Sequence, residues 1–400
     1  MKKILLSVFS SVLIVVGANA QCGTKYIDKV FATVSKTTVV YSSTSQSMDI
    51  YTPDGDSSSS RPLLVLAHGG SFTGGDRTEA DLVTLCTNFA KRGYVTASID
   101  YRLAASPLDM VGPSTAYPVV VKAISDSKAS IRYFTKDAAT TNTYKVNPKL
   151  VYFGGNSAGA VIAVQYAYID DTAEVAPSLR SILYANGGIE GNSGNAGYSS
   201  EIKAILNLAG GILDTNWIAD NTEQAIASFH GTADNTVPYL CGGVLNGASQ
   251  VSLCGTGAMR PRYERLGVPS VTKIYVGDGH VPWSSNAAKL NEVDSISADF
   301  LAQRICVDNT SSVGISSLSL SSSISVYPNP AKDMVYFEFA GEGNAESVKM
   351  IDALGREVAN TIPTNNRTFI NTSNFQGGIY FIEATFNENQ RVVKRVQIVR

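Results

Sequence analysis

The sequence predicts an α/β fold, with a mostly parallel central sheet covered by helices on both faces, plus a small C-terminal all-β sandwich. Three observations predict it. Short apolar runs at 63–67, 95–99, 150–153, 204–208, 227–229 and 272–276 alternate with amphipathic stretches, and that alternation is the pattern of parallel strands linked by crossover helices. Gly155-Asn156-Ser157-Ala158-Gly159 carries one of these runs straight into the apolar stretch 160–164, a strand-to-helix turn with glycine at the places where side chains would collide. After Cys306 the composition shifts, with nine serines in residues 311–325, as in a solvated linker.

The elements follow in chain order. Met1-Lys2-Lys3, the apolar segments 4–6 and 12–16 and the small-residue end Ala18-Asn19-Ala20 form a signal peptide over 1–20, cleaved before Gln21. Ser7, Ser10 and Ser11 interrupt its apolar stretch, which argues against a membrane anchor. Cys22 offers lipidation as an alternative that the preceding glutamine fits poorly. Residues 26–52 alternate as an antiparallel hairpin, and Ser57-Ser58-Ser59-Ser60 is a solvated loop. Helices are expected at 78–92, 117–135, 157–169, 258–267 and 287–305. Residues 187–197 hold too much glycine for a packed element and read as a loop, flexible or functional. These elements fill 21–308, the linker spans 309–325, and strands at 334–339, 348–351 and 378–384 belong to the sandwich at 326–400.

Composition excludes some classes. A chain of 400 residues, 44% hydrophobic and 16% charged, can bury one large core and a smaller one. Its net charge of −2 leaves no electrostatic footprint for nucleic acid. Export permits disulfides, and five cysteines leave one unpaired. Cys241 and Cys254 close a short loop and are the first expected bridge.

The turn at 155–159 has the form that raises a serine hydroxyl above a sheet edge as a nucleophile. Such a serine needs a base, and the chain offers three histidines, His68, His230 and His280. His68 opens His68-Gly69-Gly70-Ser71-Phe72, where a histidine usually braces its own loop. His230 precedes Gly231-Thr232-Ala233-Asp234, a strand end that delivers a carboxylate, and His280 ends Gly277-Asp278-Gly279-His280 after the next strand. Asp234, Asp278 and Glu264 are the candidate acids, of which Asp278 reads as a turn former. The histidines show no H-E-x-x-H spacing, so neither metal nor cofactor is expected.

On these motifs, together with the strand and turn Gly93-Tyr94-Val95-Thr96-Ala97-Ser98-Ile99-Asp100-Tyr101-Arg102-Leu103, residues 26–306 resemble the esterase/lipase superfamily of α/β-hydrolases. The resemblance implies an α/β-hydrolase fold and a catalytic triad in the chain order Ser157, Asp234, His280. It implies an oxyanion hole from the backbone N–H groups of Gly70, Ser71 and Ala158, with Ser71 in place of the third glycine of the commonest loop. Phe72, Trp217 and Trp283 become candidates for the substrate pocket, while Tyr101 and Arg102 brace the sheet edge. The helices carrying Cys86 and Cys306 cover one sheet face in this fold, which suggests a second bridge between them, with Cys22 a competitor for either partner. The implied activity is carboxylic-ester hydrolysis through an acyl-enzyme, on a small or polymeric extracellular ester such as a polysaccharide acetyl or feruloyl ester, a short acylglycerol or a polyester. A peptidase of the same fold and a non-catalytic surface binding protein are the alternatives.

Residues 325–400 resemble the C-terminal sorting domain of type IX secretion, through Tyr327-Pro328-Asn329-Pro330, Asp352-Ala353-Leu354-Gly355-Arg356-Glu357 and Gly378-Ile379-Tyr380 ahead of a basic end. That resemblance implies the type IX machinery as a partner, export through the periplasm, and secretion or attachment at the cell surface. A small carbohydrate-binding sandwich is the other reading.

Overall fold

The structure, a computed structural model, describes residues 26–310, 324–339, 346–352, 356–363, 367–386 and 390–400. The expected signal peptide, Cys22 and most of the serine-rich linker lie outside the described residues. The chain divides into two compact units, the first ending at Asp308 and the second running from Asn309 to Arg400.

In the first unit, strands β1 (Val34–Val40), β2 (Ser47–Pro53), β3 (Arg61–Ala67), β4 (Val95–Ile99), β5 (Val146–Asn156), β6 (Ala204–Leu208), β7 (Ala225–Gly231) and a last one at Ser270–Tyr275 form one sheet. Its order is β1-β2-β4-β3-β5-β6-β7-last. Only the β1/β2 and β2/β4 pairs are antiparallel, and the remainder pair in parallel. The apolar runs follow from burial on both faces, since β3, β4, β6 and β7 are buried along their whole length.

Alternation sorts the side chains into two cores. Leu63 and Val65 join Phe153 and Ile205 beneath α2 (Pro113–Ala139) and α3 (Ala158–Tyr168). Leu64 and Leu66 face the other way, against α1 (Ala80–Lys91) and the long helix Ala287–Thr310. A bidentate Arg92–Asp294 pair, with both residues buried, ties these last two helices together.

The structure departs from the sequence expectations in four places. Helix α2 starts at Pro113 rather than 117, because a proline at the first helical position needs no N–H partner. A further helix, α4 (Pro177–Ala185), was not expected at all. Residues 187–197 pack rather than wave: Ser193 is buried with its Oγ 2.7 Å from Ser125 Oγ, and Arg132 donates to the Glu190 carbonyl at 2.8 Å.

The fourth departure is the second disulfide. Cys241 and Cys254 do pair, across the short hairpin β8 (Cys241–Gly243) and β9 (Ser252–Cys254). Cys86 is a free thiol, and Cys306 is disulfide-bonded to a partner other than Cys86. The two helices share a face, as the resemblance implied, but Cys86 turns inward onto the sheet among Leu82, Phe89 and Tyr51. Burial pushes its thiol up to about 12.

With α5 (Thr256–Leu266) following β9, the last sheet strand is β10 (Ser270–Tyr275) and the long helix is α6. The second unit is a sandwich of two antiparallel sheets, β11-β12-β15 and β14-β13-β16-β17, where β11 is Ile324–Tyr327, β12 Met334–Phe339, β13 Ser347–Asp352, β14 Glu357–Thr361, β15 Arg367–Asn371, β16 Gly378–Phe386 and β17 Gln390–Ile398. Val335 and Phe337 from one sheet meet Val348, Met350 and Ile382 from the other in its core.

Candidate active site

The site forms where β5 gives way to α3. Ser157 stands at the turn with φ 54° and ψ −113°, a left-handed backbone that a serine adopts only under constraint. Constraint comes from both sides: its N–H donates to the Leu208 carbonyl at 2.8 Å, and its carbonyl accepts from Val161 N–H at 2.9 Å. Glycine at 159 is obligatory, because a Cβ there would run into the Ala67 carbonyl at the end of β3.

β7 and β10 deliver the other groups. Ser157 Oγ lies 2.7 Å from His280 Nε2, and His280 Nδ1 lies 2.7 Å from Asp234 Oδ2. The loops carrying acid and base are laced together by Thr232 N–H to the Tyr275 carbonyl and Ala233 N–H to the Asp278 carbonyl. Gly231 permits that approach, since any side chain there would strike the backbone at 278–279. The arrangement can pass a proton from serine to imidazole while a fixed carboxylate stabilises the imidazolium.

Asp234 is buried, and its second oxygen accepts from the Thr236 and Val237 N–H groups at 2.9 and 3.0 Å. Burial by itself raises its carboxyl, but the hydrogen bonds to His230 and His280 outweigh burial and hold it well below the usual carboxylate range. His230 sits behind the acid. Its Nε2 lies 3.2 Å from Asp234 Oδ2, the oxygen that His280 also meets, and 3.0 Å from the Val237 carbonyl, so it is a second brace on the carboxylate.

The remaining candidates fall elsewhere. His68 is buried, stacks on Tyr101 with ring centroids 4.3 Å apart, and has its Nδ1 2.6 Å from the Gly69 carbonyl. Burial pushes its imidazole below the ordinary value. Asp278 pairs with Lys289 and Glu264 with Arg260, both away from the imidazole. Tyr101 donates to the His68 carbonyl at 2.9 Å and Arg102 pairs with Asp126, each a brace beside the loop.

Gly70 and Ser71 line the space in front of Ser157. Their N–H groups and that of Ala158 meet no acceptor among the described residues. One residue that the sequence reading missed sets this loop: Glu79 accepts from Gly69 N–H at 2.6 Å through one oxygen and from the Asn156 side chain at 2.5 Å through the other. It couples the glycine loop to the residue before Ser157. Glu79→Gln removes the charge and one acceptor, so kcat should fall ~10–100-fold with KM little changed, as expected when donors shift by a fraction of an ångström. Steady-state kinetics on a p-nitrophenyl ester checks it, and an unchanged kcat would show the loop to be held by other bonds.

Residues 48–225 match the BD-FAE family, and residues 325–399 match the secretion system C-terminal sorting domain. The chain carries an esterase-type α/β-hydrolase domain and a C-terminal domain that directs export. Among solved structures, the esterase is similar to Thermogutta terrifontis esterase 2 phosphoramylated by tabun, at 19% identity and a TM-score of 0.49 over 67% of this chain and 94% of that one. It is similar also to the propionate-bound esterase of the same species, at 20% identity and a TM-score of 0.48 over 67% of this chain and 94% of that one. No curated protein matches the chain.

The aromatic candidates of the esterase separate. Phe72 lines an apolar cavity beside Ser157. Trp217 and Trp283 are not among its lining residues: Trp217 is buried in the core on the α5 side, and Trp283 lies beneath the turn, its indole N–H donating to Asn156 Oδ1 at 3.2 Å. Trp283 lies three residues beyond His280 in sequence, but the chain folds it under the turn at Asn156 instead.

Proposed function

We propose that the esterase cleaves an extracellular carboxylic ester through an acyl-enzyme formed on Ser157, with His280 as base and Asp234 as the acid that holds it. The observation that carries the reading is the unbroken relay from Ser157 Oγ to His280 Nε2 and from Nδ1 to Asp234, at 2.7 Å in both steps. Ser157 Oγ attacks the ester carbonyl as His280 takes its proton. The tetrahedral oxyanion is met by the N–H groups of Gly70, Ser71 and Ala158, each such donor being worth about 3 kcal/mol in the transition state. His280 then protonates the leaving alcohol. Water, deprotonated by the same imidazole, attacks the acyl carbon and frees the acid.

Polysaccharide acetyl or feruloyl esters, short acylglycerols and polyesters are the substrates consistent with export. Turnover of p-nitrophenyl and feruloyl esters, with aminoacyl anilides silent, supports the ester reading. Cleavage of the anilides alone overturns it in favour of a peptidase.

We also propose that residues 21–308 form the catalytic domain, 309–325 a linker and 326–400 the sorting domain. The division of the chain after Asp308 supports this, as does a second core containing none of the groups around Ser157. A chain ending at residue 310 should therefore keep a kcat/KM close to that of the full chain and, in the native host, accumulate in the periplasm. Lost activity on truncation would make the small unit part of the catalytic one.

A further inference from the structure

Ser157 borders two cavities of different polarity. The more enclosed one is lined by Phe72, Ile124 of α2, Val161 of α3, Leu179 of α4, and Val251 and Leu253 at the hairpin. The more open one is lined by Gly70, Asp76, Thr78, Glu79, Asn156 and Ser284, with His280 at its edge. Ser71, Ser157 and Thr236 border both.

An ester bound for attack at Ser157 must send its acyl group one way and its alcohol the other. His280, which has to protonate the leaving oxygen, borders only the more open and more polar of the two. The alcohol therefore lies on that side, and the acyl group enters the apolar one.

The apolar cavity has little to offer a polar acyl group. Ser249 Oγ, on its wall, is occupied by the Met110 carbonyl at 2.7 Å and by Val251 N–H at 3.1 Å. The Gln165 amide donates to the Gly211 carbonyl, and its own oxygen, which has no hydrogen-bond partner, exposes no surface. A hydroxyl carried into this space loses water and meets little polar surface in return.

The wall opposite α2 and α3 is the β8–β9 hairpin, closed by the Cys241–Cys254 disulfide. It is fixed to the body by paired bonds between Ile212 and Cys254 at 2.8 and 2.9 Å, and to the preceding turn by Gln250 N–H on the Val111 carbonyl at 2.7 Å. The bridge ties β8 to β9, the strand that carries Leu253 of the cavity wall.

We infer that the ester cleaved here joins an apolar, unhydroxylated acyl chain longer than acetyl, seated against the disulfide-bridged hairpin, to a polar alcohol in the open cleft. The inference rests on the reading of Ser157 as nucleophile and names the substrate class of that same site.

The test is a kcat/KM series with the full chain. Across p-nitrophenyl acetate, propionate and butyrate the value should rise about fourfold per methylene, equivalent to about 0.8 kcal/mol each. A cinnamoyl ester should outrun its 4-hydroxycinnamoyl counterpart about tenfold, and glyceryl monobutyrate should outrun hexyl butyrate. Ile124→Trp, which fills the apolar cavity, and the double variant Cys241→Ser/Cys254→Ser, which releases its wall, should each lower the butyrate-to-acetate ratio. The wild-type series stands even if a variant fails to fold. A flat or falling series from acetate to butyrate, or a preference for the hydroxylated ring, overturns the inference while Ser157-dependent cleavage persists. Ester cleavage that survives Ser157→Ala overturns the underlying reading instead.

Discussion

Replacing Ser157 by alanine or by glycine should abolish ester hydrolysis, and the glycine variant should be the more stable of the two inactive proteins. Loss of the nucleophile in a serine relay costs roughly 10⁴–10⁶-fold in kcat. Both variants lose the 2.7 Å contact with His280, so that term cancels between them. What differs is the backbone. At φ 54° and ψ −113° a side chain is strained, and a non-glycine residue in such a conformation stores of order 1–3 kcal/mol. Glycine relieves that strain, offset by about 0.4–1 kcal/mol of extra freedom in its unfolded chain. A net gain of about 1 kcal/mol over alanine should appear in chemical denaturation, alongside rates indistinguishable from buffer. Equal stabilities would mean that the turn is relaxed, and residual turnover would remove Ser157 from the chemistry.

His280→Ala should be nearly as damaging, while His230→Ala should cost far less activity and more stability. His280 touches both the serine oxygen and the carboxylate; His230 touches the carboxylate, the Val237 carbonyl and the Thr256 hydroxyl, in a fully buried position. Removing His230 leaves a cavity and strips Asp234 of one brace, which slackens the acid without removing the base. The reverse ranking in kcat would transfer the base role to His230.

The pH dependence follows from Asp234. Its carboxyl is held below the ordinary value, so its contribution to stability is fully present above the unfolded carboxyl pKa and is lost only as pH falls through the folded one. Asp234→Asn, which lacks that carboxyl, should lose this share of the pH dependence, and an acid-unfolding profile left unchanged in the variant would contradict the assignment.

Much of the architecture was legible because its signals are local. A buried parallel strand is a continuous apolar run, and the turn at 155–159 announces itself by glycines that no other residue could replace. Ser157, Asp234 and His280 could be singled out because so few histidines exist and each ends a strand. Illegible features were those decided by distant partners. Glu79 gives no local sign of its role, since its two acceptors bind residues 10 positions upstream and 77 positions downstream. The glycine-rich stretch 187–197 looked structureless because its order is supplied by Ser125, Lys128 and Arg132 of α2. The disulfide expected at Cys86 failed for a related reason: sharing a sheet face does not specify which way a side chain points.

The burial of Cys86 has a consequence for the history of the molecule rather than for its chemistry. An exported chain matures among oxidants, and an odd thiol there is a hazard, because thiolates attack existing bridges and scramble them. With its thiol pushed up to about 12 and no surface exposed, Cys86 in the folded esterase is neither ionised nor accessible. Its danger is confined to the interval before α1 settles on the sheet. Once the central sheet has closed over Cys86 that thiol takes no part in exchange, and the fold itself serves as the protecting group.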